Sequence, residues 1–142
     1  MAKFVKGDIV IIPFPFSDLT QNKRRPALII SVLNGDDIIL CQITSQNVKD
    51  NYAIQIEDKD FKTGELKQVS NIRPNRIFTP DKHIIIYKAA SLKDIKFNEV
   101  LVKLIEMIKK QNKREKLLQK TTKQKTFPLY LFREQLPLVS FF

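Results

Sequence analysis

Apolar positions follow two rhythms along the chain, and the change falls near residue 91. Before it, short apolar runs rich in β-branched residues are separated by polar or turn-forming clusters, the pattern of close-spaced strands. Ile9 to Phe14 is one such run. Pro13 and Pro15 cannot donate to a ladder, so this strand is expected to be an edge, bulged or short. Ser17 to Lys23 reads as a loop, and Pro26 to Val32 as a buried strand. Asn34-Gly35 supplies the positive φ angles of a tight hairpin, with Ile38 to Ile43 returning. Further strands are expected around Ala53–Ile56, Val69–Ile72 and Ile84–Tyr87, with a charged loop from Glu57 to Glu65. After residue 91, Phe97, Val100, Leu101, Leu104, Ile105 and Ile108 recur at helical spacing. Ser91 with Asp94 three residues on fits a capping box for that helix. Strands without intervening helices, closed by one amphipathic helix, predict a mainly β (α+β) fold: a small antiparallel barrel with the helix on its open side.

Composition narrows the chemistry. The 142 residues are 43% hydrophobic and 28% charged, ordinary for a globular chain. One cysteine, Cys41, excludes a disulfide framework and a cysteine metal cluster, and it reads as a buried structural thiol. One histidine, His83, excludes paired-histidine metal sites. No metal and no cofactor is expected. No apolar run approaches the roughly 20 residues of a membrane span, and no signal peptide is read, so a cytoplasmic protein is expected. The net charge is +10, which favours polyanionic or acidic partners. It is uneven: residues 1–90 hold 13 basic and 10 acidic side chains, residues 91–142 hold 12 and 5. The charge alone therefore does not locate a nucleic-acid site.

Three ordered pieces carry more information. Gly7-Asp8-Ile9-Val10-Ile11-Ile12-Pro13-Phe14-Pro15-Phe16-Ser17-Asp18 leads through a polar loop into Lys23-Arg24-Arg25-Pro26-Ala27-Leu28-Ile29-Ile30-Ser31. Gln42-Ile43-Thr44-Ser45-Gln46 ends the hairpin's return strand, and Ser70-Asn71-Ile72-Arg73-Pro74-Asn75-Arg76-Ile77-Phe78 follows later. In order and spacing these resemble the PemK/MazF family of toxin endoribonucleases (mRNA interferases) over roughly residues 5 to 110. The resemblance implies an SH3-like barrel that dimerises, cleaves single-stranded RNA without metal, and is neutralised by an acidic antitoxin. DNA contact is expected only through that antitoxin. It also implies catalysis by Arg25, just before Pro26, and Thr44, with Arg24, Ser45, Gln46, Arg73 and Arg76 as candidates for holding RNA.

The chemistry suits those residues. When a ribose 2′-OH attacks the adjacent phosphorus, negative charge gathers on the non-bridging oxygens, and a guanidinium fits two of them at once. Charge met only in the transition state raises the rate. A threonine hydroxyl donates to the same oxygens or orients the 2′-OH. Arginine is a poor general base, which leaves Asp18, in the preceding loop, as the carboxylate to test. Taken alone, each feature has a plainer reading: Arg25 a solvated turn, Thr44 a β-former, Arg73 and Arg76 fold supports, Phe14 and Phe16 core or dimer contacts. The loops Ser17–Lys23 and Glu57–Glu65 are the candidates for reading bases. A second functional reading keeps the barrel without the enzyme: a CcdB-like toxin or an inactive binding module. Residues 1–110 are expected to form the barrel with its helix, and 111–142 a basic extension with two apolar clusters.

Overall fold

The structure, a computed structural model, describes residues 3–14 and 23–110. Phe16, Asp18 and the expected extension 111–142 lie outside the described residues. Seven strands form one antiparallel sheet: β1 (Asp8–Phe14), β2 (Lys23–Val32), β3 (Ile38–Thr44), β4 (Ile54–Ile56), β5 (Phe61–Gly64), β6 (Ser70–Phe78) and β7 (Tyr87–Leu92). Their order is β4-β6-β3-β2-β1-β7-β5, and the sheet curls into a half-barrel. Among the described residues one helix, α1 (Asp94–Lys109), follows.

Both faces of the sheet are partly apolar, which explains continuous apolar runs in place of strict alternation. On one face Ile9, Leu28, Cys41, Ile43, Ile54, Ile56 and Ile72 join Phe97 and Val100 of α1 in the main core. On the other, Val10, Ile12, Ala27, Ile29, Ile38 and Leu40 form a smaller cluster against Phe4, Phe78, Ile84 and Ile85.

The structure corrects several expectations, each for a local reason. Of the alternatives for β1, edge, bulged or short, the structure shows the bulge: β1 lies between β2 and β7, and its register with β7 shifts between Ile9 and Val10. Pro13 is tolerated because pairing with β7 ends at Ile11–Tyr87, two residues earlier. The charged stretch expected to be loop holds a 3₁₀ turn, Asp58–Asp60, and then β5, of which only Phe61 is buried. Ile84 closes a second 3₁₀ turn, Lys82–Ile84, and β7 begins only at Tyr87. Ser91 caps no helix: it lies in β7 and donates to Asp8 Oδ1 at 2.8 Å. Ile105 and Ile108 are exposed, so the helix's buried stripe is shorter than its apolar pattern. The Asn34-Gly35 turn is present, with Gly35 at φ +82° and Leu33 N–H donating to the Asp37 carbonyl at 3.1 Å.

Candidate active site at the ends of β2 and β3

Antiparallel residues directly opposite each other share a face. Ile12 faces Arg25 across β1–β2, Thr44 faces Asn71 across β3–β6, and Asn71 faces Gln55 across β6–β4. The β2–β3 register sets Ala27 opposite Gln42. The β2–β3 pairing ends at Ala27–Gln42, and continuing its register two residues along both strands sets Arg25 level with Thr44. The result is a polar row across the face that carries the smaller apolar cluster. A second row lies beside it, Val10–Ala27–Gln42–Arg73. Past Ile12 and Ala27, this face changes from apolar to hydrogen-bonding.

Arg25 is half-buried and Thr44 only 8% exposed. The Gln46 N–H donates to Thr44 Oγ1 at 3.2 Å, and Asn71 Nδ2 donates to the Gln46 carbonyl at 3.2 Å. The first bond occupies a lone pair of the threonine oxygen and leaves the hydroxyl proton available to an acceptor from outside. Arg73 is committed elsewhere. Its guanidinium pairs with Asp50 Oδ2 at 3.2 Å, its Nε is buried without an acceptor among the described residues, and its carbonyl accepts from Cys41 Sγ at 3.0 Å. Asp50 also accepts from the N–H groups of Tyr52 and Ala53, at 2.9 and 3.0 Å. Burial pushes the Asp50 carboxyl up, but those two N–H groups and the Arg73 guanidinium outweigh it and hold it below the ordinary carboxylate range. The pair anchors the far end of the turn that begins at Thr44. Burial pushes the Cys41 thiol up to about 12, which leaves it a packing group rather than a nucleophile.

The other sequence candidates scatter. Arg24 faces Pro13 and, by alternation, lies on the opposite face of β2 from Arg25. Ser45 and Gln46 are exposed just beyond Thr44. Arg76 is exposed in a bulge: the β3–β6 register jumps from Cys41–Ile77 to Gln42–Arg73, so Pro74 to Arg76 have no partner on β3. Asp18 lies outside the described residues. Of the loops expected to read bases, Glu57–Glu65 leads into β5, at the opposite edge of the sheet from β4. Its Glu65 lines a cleft of about 480 Å³ together with Ser45, Ile11 and Pro26, the last two on the opposite face of the sheet from Arg25. Sequence reasoning passed over Gln42, Asp50, Gln55 and Asn71. Two of them stand in the quoted pieces, but only the cross-strand register reveals their alignment.

One further cluster is able to hold a cation. Asp36, Asp81 and His83 bring three ligand atoms within 4.8 Å of one another, all exposed, at the end of β3 away from Thr44. His83 Nδ1 lies 2.5 Å from Asp81 Oδ1. The backbone N–H and ring of His83 hold the Asp81 carboxyl below its ordinary range.

The sequence pattern of the PemK-like, MazF-like toxins of type II toxin–antitoxin systems matches residues 5–108. The chain belongs to this family. No curated protein matches it in sequence. Among solved structures it is similar to a mycobacterial endoribonuclease in complex with its cognate antitoxin, at 11% identity and TM-score 0.61, covering 78% of this chain and 100% of that one. A MazE–MazF complex from Deinococcus radiodurans gives 16% identity and TM-score 0.60, with coverage of 78% and 100%. MazF alone from the same organism gives 19% and 0.59, with coverage of 76% and 98%. At these identities the likeness establishes a shared fold. Among the described residues of this PemK/MazF-family toxin, no helix is long and apolar enough to cross a membrane.

Proposed function

We propose that this toxin is an endoribonuclease that cuts single-stranded RNA without a metal, by in-line attack of a ribose 2′-OH on the adjacent phosphorus. The reading rests on one feature: Arg25 and Thr44 lie on the same face of neighbouring strands, level when the β2–β3 register is continued past Ala27–Gln42. Arg25 clamps two non-bridging oxygens of the transition state, and Thr44 donates its remaining proton to one of them. The proton from the 2′-OH goes to a base, with Asp18 the carboxylate to test, and the 5′-oxygen leaves as an alcohol with a proton from the Arg25 guanidinium, which water replaces. The products carry a 2′,3′-cyclic phosphate and a 5′-OH.

Ser45, Gln46 and Arg76 contact the RNA strand beside the cut, Arg24 meets it where it passes round the start of β2, and Arg73 positions the turn after Thr44 through Asp50. The named complexes of related toxins support an antitoxin as protein partner, and the excess positive charge here would complement an acidic one. The active form is a homodimer, which light scattering at micromolar concentration checks.

The decisive experiment incubates purified protein with single-stranded RNA in EDTA and sequences the new ends. Wild type is expected to cut and leave cyclic-phosphate and 5′-OH termini. Arg25→Ala is expected to lose cleavage with an unchanged circular dichroism spectrum. Wild-type rates from Arg25→Ala would refute the assignment, and RNA left intact by wild type would favour a purely binding toxin.

A further inference from the structure

The row carrying Arg25 and Thr44 does not stop with them. Asn71 continues it on β6, and Gln55 ends it on the edge strand β4. Ile54 and Ile56 point into the main core, so alternation turns the exposed Gln55 to the same face as Thr44. From Arg25 to Gln55 the row crosses three strand spacings, about 14 Å. Asn71 spends its amide on the Gln46 carbonyl. The carboxamides of Gln55 and of half-buried Gln42, one row back, make no hydrogen bond among the described residues. Both rows lack a carboxylate, and the nearby Asp50 is already paired with Arg73. A polyanion can therefore cross β2, β3, β6 and β4 without meeting an unpaired negative charge on those rows.

A carboxamide presents a donor beside an acceptor, and a base edge bearing the complementary pair, such as that of adenine, makes both bonds together, its ring nitrogen accepting and its amine donating. Unstacked bases of single-stranded RNA are read in this way. We infer that Gln55 is a specificity residue: the RNA lies across the sheet with its scissile phosphate at Arg25 and Thr44, and Gln55 pairs with the edge of a nearby unstacked base over β4. This inference rests on the RNA-cutting reading of the site. The phosphates need Arg25, whereas the base needs only a neutral paired group, and Gln55 is neutral and exposed.

The test compares wild type, Arg25→Ala, Gln55→Ala and Gln55→Glu on a random single-stranded RNA pool, with cleavage sites read by end sequencing. Gln55→Ala is expected to raise KM about ten-fold with kcat kept, and to relax one position of the cleavage motif. Gln55→Glu is expected to shift that position from adenine toward cytosine, because a carboxylate accepts from the cytosine amine but has no proton to give adenine's ring nitrogen. Gln55 lies outside both apolar clusters, so circular dichroism is expected to be unchanged. An identical motif and KM in both Gln55 variants, with Arg25→Ala inactive, overturns this inference and leaves the RNA-cutting reading standing. Wild-type cleavage by Arg25→Ala overturns the reading itself. Selection of a non-cleavable 2′-O-methyl RNA pool on wild type and on Gln55→Glu gives an independent answer: different consensus bases support the inference, and the same consensus overturns it.

Discussion

Thr44, the hydroxyl proposed to meet the scissile phosphate, is mostly buried. Its oxygen already accepts from the Gln46 N–H, so its proton is directed away from that bond. Thr44→Val removes both the donor and the acceptor for Gln46. Loss of one donor to a developing oxyanion typically costs about a hundred-fold in kcat. That is the expected loss for Thr44→Val in the RNA cleavage assay, with Thr44→Ser retaining most of the rate. Asp50 is tested by pH. Its folded carboxyl sits below the ordinary 3.8, so its contribution to stability is present above that value and fades as pH falls through it toward the depressed folded value. Urea unfolding of wild type and Asp50→Asn is therefore expected to show a gap at pH 7 that narrows by pH 3. A gap that widened on acidification would mean that the Tyr52 and Ala53 N–H groups and Arg73 do not together hold this carboxyl low in the folded protein.

At the scale of elements, the strands with buried side chains on both faces were legible as apolar runs. β2 from Pro26 on and β3 needed no tertiary information, whereas Lys23 to Arg25 joins β2 only by pairing with β1, and the Asn34-Gly35 turn between the strands announced itself chemically. β5 was not legible, because an exposed edge strand of Phe-Lys-Thr-Gly buries only its first residue and is defined by its partner β7. Ser91 misled for the opposite reason: its capping chemistry was present, but the buried Asp8 carboxylate took its hydroxyl. The site divides in the same way. Arg25 and Thr44 were reachable from motifs, whereas Gln55 and Asn71 acquire meaning only when β6 sits between β3 and β4. The β5–β7 pairing also depends on backbone proximity. Gly64 has φ +74°, and a Cβ there would overlap the Ala89 carbonyl oxygen and lie 2.6 Å from Ala90 Cα. Gly35, at φ +82°, has nothing within 4 Å of such a Cβ. Gly35→Ala is expected to cost about 1 kcal/mol for the left-handed backbone alone. Gly64→Ala is expected to cost at least about 2 kcal/mol more, read as the difference between their urea midpoints.

For the whole molecule, a net charge of +10 promises attraction to RNA but does not say which contacts carry it. Ionic strength separates them. For single strands, the logarithm of affinity falls against the logarithm of salt concentration with a slope of about −0.7 per phosphate neutralised. Arg24 and Arg76 are exposed cations outside the polar rows, on the opposite face of β2 and in the β6 bulge. If they grip phosphates, Arg24→Ala and Arg76→Ala each make the slope shallower by about 0.7 and weaken all sequences alike. Gln55→Ala, which removes no charge, is expected to keep the wild-type slope while losing discrimination among sequences. Fluorescence anisotropy with two oligonucleotides, one carrying the preferred motif and one scrambled, measures both quantities in a single titration series. A slope changed by Gln55→Ala and untouched by both arginine variants would reverse the division of labour between this molecule's charges and its carboxamides.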